Sequence, residues 1–220
     1  MALKAGVLLS GCGVYDGSEI HEAVLTLLFL DRAGAQILCM APNIDQLHVV
    51  NHLSGEANDE KRNVLIESAR IARGDIKDLK DMTASDMDLL IVPGGFGAAK
   101  NLCSFAIDGP DATINPEVKR LIEEMIEAKK PIGALCIAPA VLARALGSKN
   151  TEVTIGNDAG TADAIESMGA THIQCGVKDI HVDEKNKIVT TPAYMLGPDI
   201  KNVAVGIEKL VAKVLELAAD

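Results

Sequence analysis

Pro131-Ile132-Gly133-Ala134-Leu135-Cys136-Ile137-Ala138-Pro139 decides how this chain is read. Its first five residues form a short apolar run, as a buried strand requires. Pro139 suits the first turn of a helix, where its missing N–H would have had no partner. A strand therefore turns sharply into a helix at Cys136. Side chains two residues before and two after such a turn collide unless they are small. Here they are Ala134 and Ala138. A helix N-terminus also carries partial positive charge, which favours thiolate over thiol. Cys136 is either a nucleophile on an elbow or a buried cysteine closing a strand, and the local pattern leaves both open.

The same alternation runs outward in both directions. Lys4 to Ser10, Gln36 to Ala41 and Asp88 to Val92 read as strands. Ile20, Ala23, Val24, Leu27 and Leu28 recur at helical spacing, as do Val118, Leu121, Ile122, Met125 and Ile126. Ala138 to Leu146 reads as a helix, and Asp199 to Leu217 as the last one. Asp179 to Val182 and Lys187 to Thr190 read as two strands joined by a polar turn. Near-continuous apolar strands alternating with helices predict an α/β fold with a mostly parallel sheet, covered on both faces. Residues 1–220 are expected to form a single domain, with the polar stretch Asn51 to Asp81 as an elaboration between the second and third main strands.

Composition removes several function classes. The chain has 220 residues, of which 48% are hydrophobic and 24% charged, a globular mix rather than a disordered one. Its longest uncharged run, Pro131 to Ala143, is shorter than a membrane span. The apolar run after Lys4 is too short for a secretory signal, so none is expected. A formal net charge of −10 repels phosphate backbones, and aromatic residues make up only 2%, so nucleic-acid binding is not expected. The five cysteines are odd in number and form no CxxC pair, which argues against a disulfide framework or a zinc site. A reducing, cytoplasmic setting is the expectation.

In a parallel sheet, ligands bind where loops leave the carboxyl ends of the strands. Besides the Cys136 junction, two such loops stand out. Gly94 and Gly95 follow the third main strand, and glycines there let backbone N–H groups turn toward a developing oxyanion. The stretch Gly11-Cys12-Gly13-Val14-Tyr15-Asp16-Gly17 nearly matches a dinucleotide fingerprint, although its third glycine comes one residue late. Nucleotide binding is therefore an alternative. Beyond that loop, Asp16 reads as a helix cap and Glu19 as its capping-box partner. Glu22 is either a solvated helix carboxylate or an acid–base group sharing a proton with Cys136. His52 is a loop histidine that could reach the site, and Tyr194 could shape the pocket.

These loops together resemble the class I glutamine-amidotransferase-like superfamily, in its PfpI and Parkinson-associated-deglycase branch. The residues that carry the resemblance are Gly17-Ser18-Glu19-Ile20-His21-Glu22, Ile91-Val92-Pro93-Gly94-Gly95 and Ala134-Leu135-Cys136-Ile137-Ala138-Pro139. The longer motifs Ser10 to Ala23, Pro93 to Leu102 and Thr190 to Leu196 are similar to its enhancing-lycopene-biosynthesis (ElbB-type) subfamily. The resemblance implies a flavodoxin-like three-layer sandwich, a homodimer, a nucleophilic Cys136 partnered by Glu22, and an oxyanion hole from the amides near Gly95 and Ile137. It also implies glutathione-independent glyoxalase activity on a small aldehyde, with no cofactor or metal, and a link to isoprenoid metabolism. A cysteine-based redox sensor or chaperone-like stress protein is the other alternative. Amidotransferase and protease members pair the cysteine with a histidine. Here Ile137 follows it, so glutaminase and peptidase activities are not expected.

Overall fold

The computed structural model describes residues 2–219, and its elements follow the apolar periodicity of the chain. In chain order they are β1 (Lys4–Leu8), α1 (Ile20–Arg32), β2 (Gln36–Ala41), β3 (Val49–Asn51), β4 (Glu56–Asn58), α2 (Val64–Ile71), β5 (Lys77–Asp78) and β6 (Leu89–Val92). Then come α3 (Phe105–Asp108), α4 (Pro116–Glu127), β7 (Ile132–Leu135), α5 (Pro139–Leu146), β8 (Glu152–Val153), α6 (Ala159–Ser167), β9 (Thr171–His172), β10 (His181–Asp183), β11 (Ile188–Thr191) and α7 (Ile200–Ala219).

The main sheet has seven strands in the order β10-β11-β7-β6-β1-β2-β5. All its pairings are parallel except β10 with β11, the hairpin expected near residues 179–190. β6 shows why the strands are apolar throughout. Leu89 and Ile91 enter one layer of core, Leu90 and Val92 the other, and all four are fully buried. On the first face they meet Leu30 of α1 and Val203, Ile207 and Leu210 of α7. On the second they meet Val118, Leu121 and Ile122 of α4 and Val141 and Leu142 of α5. This is the expected α/β sandwich with a mostly parallel sheet. No helix among the described residues is long and apolar enough to cross a membrane.

The polar stretch 51–81 is more ordered than its sequence suggests. It supplies the second strand of the β3–β4 hairpin, then α2, then β5, which joins the main sheet beside β2. Asn63 caps α2 by accepting from the Ile66 N–H at 3.1 Å. A two-residue strand has no periodicity to read, so β5 is visible only through its pairing.

The strand order positions the site. β7, β6 and β1 are neighbours, so the loops leaving their carboxyl ends converge. Those loops carry Cys136, the Gly94–Gly95 turn and the Gly11–Ser18 segment.

Candidate active site

β7 ends at Leu135 and the chain reverses at Cys136, whose φ is 58°. A left-handed backbone costs a non-glycine residue roughly 1–3 kcal/mol, so the surroundings must hold it. The Cys136 N–H donates to the Thr191 carbonyl at 3.0 Å, and the Ala138 N–H donates to the Leu135 carbonyl at 2.9 Å. Ala134 and Ala138 are fully buried against the turn, as small residues there must be. Cys136 itself is 8% exposed.

Glu22 sits in the first turn of α1 and is fully buried. The cap of this helix is Glu19, not Asp16 as expected: a Glu19 carboxylate oxygen accepts from the Glu22 N–H at 2.7 Å. Asp16 is taken up elsewhere, accepting from the Val50 N–H at 2.8 Å and so tying its loop to the β3–β4 hairpin. Glu22 Oε2 accepts from the Gly94 N–H at 2.9 Å, and Oε1 accepts from the Tyr194 N–H at 3.2 Å. The carboxyl is a near neighbour of Cys136: a Cβ built at Gly94 would lie 2.7 Å from Glu22 Oε2 and 2.5 Å from the Cys136 Cβ. Gly94, expected beside the oxyanion, therefore holds Glu22 instead. Tyr194 likewise positions Glu22 through its backbone, while its hydroxyl pairs with His21 Nδ1 at 2.8 Å.

Burial sets the protonation of the pair. It pushes the Glu22 carboxyl up to about 8, and the neighbouring Glu19 adds to the rise. Burial, and then the Glu22 charge, push the Cys136 thiol well above its ordinary value. The Gly95 and Ile137 amides face the sulfur and oppose that rise without cancelling it. The expected thiolate at neutral pH is thus corrected, since desolvation outweighs the helix N-terminus. The two groups titrate as a unit, and the first proton to leave belongs to the pair.

A cavity of about 660 Å³ opens above the sulfur. Cys136, Ile137, Gly95 and Tyr194 line it, as expected, and so does Glu19, which the sequence showed only as a capping residue. Its far walls come from α3 and α6 through Phe105, Asp158, Thr161 and Ala164. Nothing in the local sequence of those helices marks them as lining. His52 does not line it. Its Nε2 accepts from the Tyr15 N–H at 3.3 Å and its Nδ1 lies 3.0 Å from the Val50 carbonyl, because the β3–β4 hairpin holds it against the back of the Gly13 loop.

The glycine loop is built for packing rather than for phosphate. Gly11 N–H donates to Ser68 Oγ at 2.8 Å, Gly13 N–H to the Ser18 carbonyl at 2.9 Å and Gly17 N–H to the Gly13 carbonyl at 2.7 Å. These amides are satisfied internally, which removes the basis for the nucleotide alternative. A Cβ at Gly17 would lie 2.2 Å from the Cys12 nitrogen, so close approach explains that glycine. Among the described residues no group of three or more His, Cys, Asp and Glu is arranged to hold a metal ion.

The pattern of the DJ-1/PfpI family matches residues 13–195. This chain belongs to the DJ-1/PfpI family. It is 50% identical over 224 residues to the rat (Rattus norvegicus) "ES1 protein homolog, mitochondrial", covering 97% of this chain and 84% of that protein. It is 49% identical over 226 residues to the human (Homo sapiens) "glutamine amidotransferase-like class 1 domain-containing protein 3, mitochondrial", covering 98% of this chain and 84% of that protein. A crystal structure of an "isoprenoid biosynthesis protein with amidotransferase-like domain" from Ehrlichia chaffeensis superposes with a TM-score of 0.92 at 41% identity, covering 98% of this chain and 99% of that one. DJ-1/PfpI membership and the amidotransferase-like fold agree with the resemblance drawn from the three loops. The cytoplasmic expectation is corrected, because these curated relatives are named mitochondrial. An odd set of unpaired cysteines reports a redox environment, which several compartments share, and not an address.

Proposed function

We propose that this DJ-1/PfpI protein is a glutathione-independent glyoxalase that converts methylglyoxal to lactate, with Cys136 as nucleophile and Glu22 as acid–base group. The observation that carries this reading is the juxtaposition of Cys136, which lines the cavity, with a fully buried Glu22, both pressed against Gly94. The Cys136 sulfur adds to the aldehyde carbon and the carbonyl oxygen takes a proton, giving a hemithioacetal. The Gly95 and Ile137 amides stabilise negative charge on that oxygen as the bond forms. Glu22 then removes the proton from the former aldehyde carbon, and a proton reaches the neighbouring ketone oxygen, giving an enediol. Protonation of the second carbon, with loss of the proton from the first carbon's hydroxyl, yields a thioester. Water releases lactate and restores the thiol. One carbon is oxidised and its neighbour reduced, so no external oxidant enters.

The finer assignment to the enhancing-lycopene-biosynthesis subfamily belongs to the same proposal. It is supported by the name of the Ehrlichia protein. A glutaminase or peptidase reading lacks a base, since Ile137 stands beside the thiol and His21 pairs with Tyr194. The redox reading uses the same deprotonated sulfur but gives Glu22 no acid–base step on a substrate. The deciding experiment measures methylglyoxal consumption and lactate formation by the parent and by Cys136→Ala. Turnover by the parent that disappears in the variant is the expected result. A parent that makes no lactate, yet gains a sulfinic acid at Cys136 in mild peroxide, would replace this reading with the redox one.

We also propose that the protein is a homodimer. Ile20, Val24 and Leu28 repeat at helical spacing along α1 and stay exposed, an apolar stripe that a monomer leaves in water. Val24→Glu places a charge in its centre and is expected to yield monomers by sedimentation at micromolar concentration. An unchanged sedimentation coefficient would move the interface elsewhere.

A further inference from the structure

The cavity is far larger than methylglyoxal needs. About 660 Å³ lies in the size range of sites that enclose drug-sized ligands, roughly 300–1,000 Å³, whereas methylglyoxal carries only a methyl group beyond its reacting carbons. Most of the lining is apolar, including Phe96, Phe105, Ile137 and Met195, and it extends from the Cys136 sulfur to the α3 and α6 walls. Its charged members are Glu19 and Asp158, and no Lys, Arg or His lines it among the described residues. Asp158 occupies the N-terminus of α6, accepting from the Thr161 N–H at 2.8 Å, so that helix end offers no anion site. Lys100, the nearby cation, is committed outside the lining: its ammonium donates to the Tyr15 carbonyl at 3.0 Å and lies 5.2 Å from the centre of the Phe96 ring.

Building on the glyoxalase reading, we propose that the substrates of this site are uncharged α-oxoaldehydes carrying an apolar substituent several carbons long. Compounds bearing a carboxylate or phosphate on that substituent are excluded. The reacting carbons sit at the sulfur and the substituent fills the space toward Phe105 and Ala164. Each methylene moved from water into such a lining is worth about fourfold in binding. An anionic tail loses its hydration and meets Glu19 and Asp158 instead of a counter-charge.

The test compares kcat/KM for methylglyoxal, hexylglyoxal and the ω-carboxy analogue of hexylglyoxal. Protection of Cys136 from iodoacetamide by each compound is measured alongside, since protection reports occupancy with or without turnover. Hexylglyoxal is expected to exceed both others by at least about tenfold in kcat/KM. Ala164→Phe, which shortens the cavity, is expected to lower the hexylglyoxal value more than the methylglyoxal value. Equal values for methylglyoxal and hexylglyoxal, or for hexylglyoxal and its carboxylate, overturn the substrate-class inference while leaving the glyoxalase reading intact. If none is turned over but hexylglyoxal protects Cys136 at tenfold lower concentration than the others, the glyoxalase reading falls and the cavity inference holds. Absence of both turnover and selective protection ends both.

Discussion

Glu22→Gln is expected to fold, to keep a Cys136 that alkylates, and to lose about 10²–10⁴-fold in lactate formation, the usual cost of removing a positioned acid–base group. The parent carboxyl has its ionisation raised to about 8, so methylglyoxal turnover should climb as pH rises through that value and the pair loses its first proton. In the variant that step should vanish from both turnover and alkylation. Glu19→Gln makes the control. Its amide oxygen can still accept from the Glu22 N–H, but the charge that helps to raise the Glu22 carboxyl is gone. It should retain turnover with the step displaced to lower pH. Parent-like lactate formation by Glu22→Gln would sink the Cys–Glu mechanism.

The same residue ties activity to stability with a definite sign. The folded protein holds the Glu22 proton up to about pH 8, whereas the unfolded chain releases it near the ordinary value of 4.5. Between those limits the native state binds more protons, so Glu22 makes stability fall as pH rises, by about 1.4 kcal/mol per unit. Below about 4.5 the penalty is absent. Gln carries no such term, although its amide leaves one of the two backbone donors at Gly94 and Tyr194 unsatisfied, at roughly 1–3 kcal/mol. The variant should therefore be the less stable protein near pH 5 and gain on the parent steadily toward pH 8. Urea titrations at several pH values measure that difference directly.

The parts of the fold with a period were legible in the sequence. β6 and β7 are read from four-residue apolar runs, and α4 and α7 from helical stripes, because burial on a face imposes spacing. The Cys136 elbow was legible for a steric reason, since Ala134 and Ala138 record the space the turn requires. What escaped lacks any local pattern. β5 exists only by pairing with β2, and the α3 and α6 walls of the cavity become neighbours only after folding. Glu19 took the capping role expected of Asp16 because both fit a helix start, and the hairpin that claims Asp16 lies more than thirty residues away. The protonation of Cys136 escaped for a related reason. A helix N-terminus is visible in sequence, whereas full desolvation is a property of everything packed around the sulfur.

Gly94→Ala should be as damaging to chemistry as losing Glu22, although it removes no functional group. A Cβ built at Gly94 lies 2.5 Å from the Cys136 Cβ, 2.7 Å from Glu22 Oε2 and 2.9 Å from the Leu135 carbonyl oxygen. None of these three is the free end of a flexible side chain. Cys136 is fixed by a left-handed backbone, Glu22 by two backbone donors, and the Leu135 oxygen by β7 and the elbow. The methyl group must therefore displace the end of β7, the Cys136 side chain or the Glu22 carboxyl, all of which border that position. Overpacking of this kind costs about 1–3 kcal/mol in stability. Displacement of reacting groups by about 1 Å costs on the order of 10²-fold in rate. The variant is expected to unfold at lower urea than the parent, to lose at least 10²-fold in methylglyoxal turnover, and to lose the step near pH 8 in Cys136 alkylation. Gly109→Ala places Ala at a φ of 54°, a strain that Gly94 does not have, and its Cβ would meet nothing within 4 Å, so it isolates backbone strain from the wedge. It should lose stability through strain alone and keep the pH step. If Gly94→Ala keeps that step as well, the coupling of Cys136 and Glu22 does not depend on the close packing at Gly94.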